Sequence, residues 1–169
     1  LGVRARAYSA SMENHDQVVA MADRAIADFG FVDILVNNAG IASRGRSVLD
    51  TEPDEIARLL TVHAQAPHWL SRRLIPSMRT RPRSDIVMIS SVATLKMGAN
   101  GAPYNMAKAA MEALAYTLAK EERAHGIHVN VVAPGLVETD MGVRLVKGAA
   151  GIDDIHSLDK SMPYGRVCQ

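Results

Sequence analysis

The sequence predicts an α/β fold, a doubly wound parallel sheet with helices on both faces, and three observations carry that expectation. Short apolar runs, Asp33-Ile34-Leu35-Val36, Ile86-Val87-Met88-Ile89 and Ile127 to Val132, alternate with long helix-periodic segments. Strands separated by helices pair in parallel. The first two runs show little polar alternation, as strands covered on both faces should. The runs lead into small or polar residues: Asn37-Asn38-Ala39-Gly40, Ser90-Ser91 and Pro134-Gly135. Open parallel sheets bind ligands beyond such carboxyl ends.

The totals fit one domain. A chain of 169 residues can bury a sizeable core, and 48% apolar with 22% charged residues is ordinary for a globular protein. Nineteen basic against 18 acidic residues leave a formal charge of +1, which argues against a nucleic-acid surface or a polybasic membrane anchor. The lone cysteine, Cys168, excludes a disulfide framework and a cysteine metal cluster, and a cytoplasmic setting is the expectation. No apolar run approaches the ~20 residues of a membrane span, and neither terminus reads as a signal peptide.

Taken in order, Val3 to Tyr8 reads as a short strand. Asn14, with Gln17 three residues on, is a capped helix start. Val18, Ala22, Ala25, Ile26 and Phe29 mark one face of that helix, and Gly30 stops it. After the strand at 33–36, Thr51 before Glu52-Pro53 opens a helix whose pattern continues to about Met78. The basic loop at 79–84 precedes the strand at 86–89. Pro103 starts a helix that runs to about His125, where Gly126 ends it. Beyond Met141 the pattern weakens, and residues 142–162 read as a helix or a mobile flap.

The candidate chemistry sits at the strand ends. At Asn37-Asn38-Ala39-Gly40, small residues either let a ligand approach the backbone or form a polar turn. Tyr104 and Lys108 stand at i and i+4, ~40° apart on one helical face. An ammonium there favours the phenolate, each pKa unit being ~1.4 kcal/mol. Tyr116 and Lys120 repeat the spacing on the same helix, but ~18 Å further along and ~120° around. Ser91 separates the two pairs: it ends a strand thirteen residues before Tyr104, whereas Pro103 holds that place relative to Tyr116. Pro134-Gly135 either frees backbone N–H groups for a carboxamide or phosphate or makes a simple turn. His63 and His68 point ~140° apart, so they do not share a metal. His125 and His128 read as surface residues, and no metal site is expected.

Together, Asn37-Asn38-Ala39-Gly40, Ser91, Tyr104-x-x-x-Lys108 and Pro134-Gly135-x-x-x-Thr139 resemble the short-chain dehydrogenase/reductase family across nearly all of residues 1–169. Glu138-Thr139-Asp140-Met141 resembles most its 3-oxoacyl-(acyl-carrier-protein) reductase branch. The resemblance implies a Rossmann-like dinucleotide-binding domain and hydride transfer between NAD or NADP and a small carbonyl or alcohol substrate. Tyr104 would be the general acid or base and Ser91 would hydrogen-bond the substrate oxygen. Lys108 would hold the nicotinamide ribose and lower the tyrosine pKa. Asn37, Ala39 and Gly40 would line the adenosine side, and Pro134, Gly135, Val137 and Thr139 the carboxamide end. The family's subunit interface implies a homodimer or homotetramer through helices near 52–78 and 103–125, with Ala107, Ala110 and Ala115 permitting close packing.

The departures are specific. The family's Thr-Gly-x-x-x-Gly-x-Gly phosphate turn is absent from these 169 residues, as are its first two strands. The sequence also ends near Met162-Pro163-Tyr164-Gly165-Arg166, where the family continues into a final helix and strand. The expectation is an internal piece of a longer enzyme, inactive alone, in which residues 3–8 lack sheet neighbours. Ser11-Met12 falls where the family has an aspartate and an aliphatic residue beside adenine. His63 replaces the fourth catalytic residue, an asparagine that acts through its main-chain carbonyl on a relay water. Pro67, four residues on, has no N–H for the His63 carbonyl, so a kink and a free carbonyl are expected. The contrasting expectation is a non-catalytic binding or dimerisation module.

Overall fold

The computed structural model describes residues 2–162 and 164–169. Pro163, within the stretch at which the family's final elements would begin, lies outside the described residues. Three strands, β1 (Ile34–Asn37), β2 (Ser84–Ile89) and β3 (Ile127–Val132), form one parallel sheet in the order β1-β2-β3. Helices link them: α1 (His15–Phe29) precedes β1, α2 (Pro53–Leu60) and α3 (Ala66–Met78) follow it, and α4 (Ala93–Lys96) and α5 (Ala102–Glu122) join β2 to β3. After β3 come α6 (Asp140–Ala150) and a 3₁₀ segment, Ile155–Ser161. The architecture is the expected Rossmann-like α/β sheet.

Local signals account for the helix ends. Asn14 caps α1 through a bond from the Gln17 amide at 3.0 Å, and Gly30 closes it with φ 86°. The Gln17 side chain reaches back to the Ser11 amide at 2.8 Å, one turn further than a capping box would take it. Thr51 does not cap α2: Glu52 holds that position without a side-chain bond, and the Thr51 hydroxyl donates to the Ser47 carbonyl. Gly126, at φ 74°, ends the 3₁₀ turn Arg123–His125 that follows α5.

Two elements depart from the sequence reading. Residues 3–8 form no strand; Arg4 and Tyr8 are tied instead to Asp28 of α1, through its carbonyl and its carboxylate. A strand needs a neighbour to satisfy its backbone, and no described strand lies beside this segment. The expected long helix is also broken by a π-helical turn, Thr61–Gln65, in which the Ala66 amide reaches the Thr61 carbonyl. Pro67 supplies the reason, because it has no N–H for the α-helical bond to His63. The kink expected from sequence is thus a widened turn centred on His63.

Strand register decides which sheet face is covered. Leu35, Ile86 and Val129 share one face, and Asn37, Met88 and Val131 continue it. Against that face pack Val18 and Ala22 of α1, Leu70, Leu74 and Met78 of α3, and Met111, Ala115 and Leu118 of α5. On the opposite face Ile34 and Val36 are 63% and 53% exposed. The described helices α1, α3 and α5 therefore cover one face, although the strands have the apolar composition of a doubly covered sheet. Ala107 and Ala115 are buried within the chain, Ala115 in this core, and are not free to pack against another subunit. Arg79 at the end of α3 grips the buried Glu122 of α5 through two bonds of 2.9 and 2.8 Å.

The segment read as a flap is ordered as α6 and the 3₁₀ turn, which share a second small core of Val146, Ile155 and Val167. Val137 makes a parallel bridge to Cys168, fixing the chain after β3 against the last residues. No helix of the described residues is long and apolar enough to cross a membrane.

Candidate active site

The site forms where β2 ends and α5 begins. The sheet bonding runs past the strand ends: the Ser90 amide donates to the Val132 carbonyl at 2.7 Å and the Val92 amide to the Pro134 carbonyl at 3.0 Å. Ser91 is thereby held beside the Pro134-Gly135 turn. Its hydroxyl oxygen accepts from the Ala93 amide at 3.2 Å, which fixes the rotamer, and the hydroxyl lies near enough to the Tyr104 phenol to act on its titration. Tyr104 lies in the first turn of α5, where Pro103 occupies a position that needs no N–H partner. One turn later Lys108 is 4% exposed. Its Nζ donates to the Ile89 carbonyl at 2.6 Å and lies 5.7 Å from the Tyr104 ring centre.

Burial, more than charge pairing, sets the titration of this cluster. It pushes the Tyr104 phenol above its ordinary range, with the Ser91 hydrogen bond acting in the opposite direction. Lys108 is not among the influences on the phenol, whose direction is set by burial, and its ammonium is engaged with the Ile89 carbonyl. Burial also holds Lys108 down to about 8, with the Glu112 charge pulling the other way.

His63 occupies the centre of the π turn and is 1% exposed. Its Nε2 lies 2.8 Å from the Ile41 carbonyl and 3.3 Å from the Ile41 amide. One nitrogen cannot donate and accept at once, so the shorter contact sets the tautomer, with Nε2–H donating to the carbonyl. Nδ1 is then the acceptor, and among the described residues it has no hydrogen-bond partner. The ring meets Tyr104 edge to face, 5.4 Å between centres. Burial, and next the Lys108 charge, lower its pKa to about 4, so the imidazole is neutral near pH 7.

This placement explains Gly40. A Cβ there would lie 2.8 Å from His63 Cε1, and the imidazole cannot swing aside without breaking its bond to Ile41. Gly40→Ala should cost ~1–3 kcal/mol, as overpacking does. Most of that cost should vanish in the Gly40→Ala/His63→Ala double variant relative to His63→Ala, measured by denaturant unfolding. Additive single and double effects would show that the two residues do not meet.

The other sequence candidates fall in two groups. Met12, Asn37 and Ala39 line one apolar cavity of about 330 Å³ between α1 and β1. Asn37 is buried and donates to Met88 Sδ at 3.2 Å. Ser11 turns its hydroxyl to the Glu13 amide and does not line that cavity. Beyond β3, Gly135 is open on the side a Cβ would occupy. Thr139 caps α6 by accepting from the Gly142 amide at 3.1 Å. The bridge to Cys168 uses the Leu136 carbonyl and the Glu138 amide, so the Val137 N–H faces away from Cys168. His68 is exposed while His63 is buried, which separates the two histidines as their spacing requires. Tyr116 is 57% exposed, whereas the Tyr104 phenol lies near Ser91.

Glu112, Ser90 and Thr94 surround this cluster without having been singled out from the sequence. The signal was available, since Glu112 follows Lys108 by four residues and Ser90 adjoins Ser91.

The comparisons with known proteins identify the family. Residues 1–150 match the family model described as short chain dehydrogenase. Nodulation protein G of Rhizobium meliloti (strain 1021) is 38% identical over 149 residues, spanning 86% of this chain and 59% of that protein. The 3-oxoacyl-[acyl-carrier-protein] reductase of Salmonella typhimurium (strain LT2) is 33% identical over 141 residues, 83% of this chain and 57% of the relative. L-sorbose reductase from Gluconobacter frateurii, solved with NADPH and L-sorbose, superposes with a TM-score of 0.89 at 27% identity, covering 99% of this chain and 66% of that one. The chain thus spans about three fifths of the length of the curated relatives it matches. With the family model matching most of its length and Ser91, Tyr104 and Lys108 gathered at one strand end, this chain belongs to the short-chain dehydrogenase family.

Proposed function

We propose that the protein containing this chain is an NAD- or NADP-dependent oxidoreductase that interconverts a carbonyl and a secondary alcohol through Ser91, Tyr104 and Lys108. The convergence of these three side chains at the end of β2 carries the reading. A bound nicotinamide supplies or accepts the hydride. Ser91 donates a hydrogen bond to the substrate oxygen, and Tyr104 gives that oxygen a proton in reduction or takes one in oxidation. Lys108 has the means to hold the nicotinamide ribose: an ammonium has three donors, and Ile89 uses one. Met12, Asn37, Ala39 and Gly40 would border the adenosine end, with Ser11 beside them. Pro134, Gly135, Val137 and Thr139 would border the carboxamide, where the Val137 N–H and the Thr139 hydroxyl hydrogen are the donors on offer. Residues 142–162 would cover the substrate. The solved relative with a bound nicotinamide supports NAD or NADP as the cofactor.

His63 enters this chemistry as a neutral group. Its carbonyl lies at the π turn that Pro67 opens, and its Nδ1 is a buried acceptor without a partner among the described residues. Both fit a proton relay from Lys108 through a water. In the complete protein, Pro67→Ala should restore α-helical bonding, withdraw the carbonyl and slow proton transfer roughly tenfold. A pH–rate profile identical to the parent's would sink the relay.

A second reading is a non-catalytic binding or dimerisation module. Met106 and Tyr116 on the exposed side of α5 offer surface for a homodimer under either reading. Carbonyl-dependent oxidation of NADH or NADPH by the complete protein decides between them, and its loss in Tyr104→Phe assigns it to this site.

A further inference from the structure

Glu112 stands one turn beyond Lys108 on α5, outside the groups that move the proton. Its Oε1 accepts from the Ser90 hydroxyl at 2.5 Å and lies 2.9 Å from the Thr94 hydroxyl. The Thr94 hydroxyl is also 2.9 Å from the Ser91 carbonyl. A threonine has one hydroxyl hydrogen, so it serves one acceptor or the other, and both tie it to this corner. Ser90 is 4% exposed, and its hydroxyl depends on Glu112 for an acceptor. One carboxylate on the helix that carries Tyr104 and Lys108 thus grips residues on both sides of Ser91.

We infer that Glu112 is the positioning residue of this site, fixing the Ser91 segment against α5 and supplying the counter-charge to Lys108. The inference rests on the oxidoreductase reading for its effect on turnover, and on the bonds from Ser90 and Thr94 to Glu112 for its hold on the Ser91 segment. The groups facing that ammonium are Glu112 and Tyr104 from α5, neutral His63 from the π turn and the Ile89 carbonyl from β2. Glu112 is the one anion among them. It opposes the burial that holds Lys108 down to about 8.

The test uses two variants in the complete protein, Glu112→Leu and Glu112→Gln. Leucine removes both the acceptor and the charge, and kcat should fall about 100-fold with the KM for NADH or NADPH within about twofold, as a misplaced catalytic group predicts. Glutamine keeps an acceptor oxygen for Ser90 but no charge, and should lose less than about tenfold in kcat. In both variants the Lys108 titration, followed by the ¹³C shift of its Cε in the protein without cofactor, should move about one pH unit lower. An unmoved Lys108 titration together with parental kcat overturns the inference. If leucine prevents folding, the glutamine variant decides it through the same titration. Tyr104→Phe separates the levels: retained turnover there refutes the oxidoreductase reading, whereas lost turnover with Glu112 variants like the parent refutes only the role of Glu112.

Discussion

In the complete protein, Tyr104→Phe is expected to lower turnover ~10²–10⁴-fold, the range supplied by a positioned acid or base, while leaving nicotinamide affinity near the parent value. Phenylalanine retains the ring that packs edge-on against His63 at 5.4 Å, so α5 and the π turn should stay in place. What is lost is one hydroxyl, the group proposed to exchange the proton with the substrate oxygen. Lys108 keeps its bond to the Ile89 carbonyl, which is why ribose binding should survive. Turnover and cofactor affinity, measured separately by nicotinamide absorbance and fluorescence, check the split. Turnover within threefold of the parent would remove Tyr104 from the reaction.

The second large effect is an acid instability that belongs to His63. Its pKa falls from the ordinary 6.5 to about 4 on folding. Between those values the unfolded chain binds a proton that the folded chain refuses. Stability is therefore whole above about pH 6.5, declines as pH falls towards 4, and levels off below. At ~1.4 kcal/mol per pH unit the loss attributable to His63 is about 3 kcal/mol. No discount for solvent screening applies to a side chain that is 1% exposed. Denaturant unfolding of the parent and of His63→Asn between pH 4 and 8 should give curves that converge as pH falls, because asparagine has no proton to take up. Parallel curves would show that His63 does not carry the acid sensitivity. The buried neutral imidazole and its bond to Ile41 also make the loop after β1 the part expected to loosen first in acid.

Much of this was legible in the sequence. The apolar runs at 34–36, 86–89 and 127–132 became the three strands, because short apolar segments flanked by helices have few alternatives. Asn14 and Gly30 marked the ends of α1 because caps act within a few residues. Ser91 selected Tyr104 over Tyr116 because it ends a strand thirteen residues before Tyr104, the place Pro103 holds relative to Tyr116. Where the reading failed, the missing information was non-local. Thr51 has the chemistry of a cap, but the Ser47 carbonyl captured its hydroxyl. Residues 3–8 alternate like a strand, yet a strand exists only with a partner. Ala107 and Ala115 are small enough for an intersubunit contact but are buried within the chain itself.

The sequence by itself determined the fold class and the family and pointed to Ser91, Tyr104 and Lys108 as the proposed set, since each depends on residue type at a fixed spacing. Only the tertiary structure decided the protonation of that set. A pKa reflects how much water is removed and which charges remain within a few ångströms, and neither is written in spacing. It was folding that raised Tyr104, lowered Lys108, made His63 a neutral wedge against Gly40 and set Glu112 beneath Ser90. The packing of α5 and the π turn against the end of β2 governs how this site holds its protons.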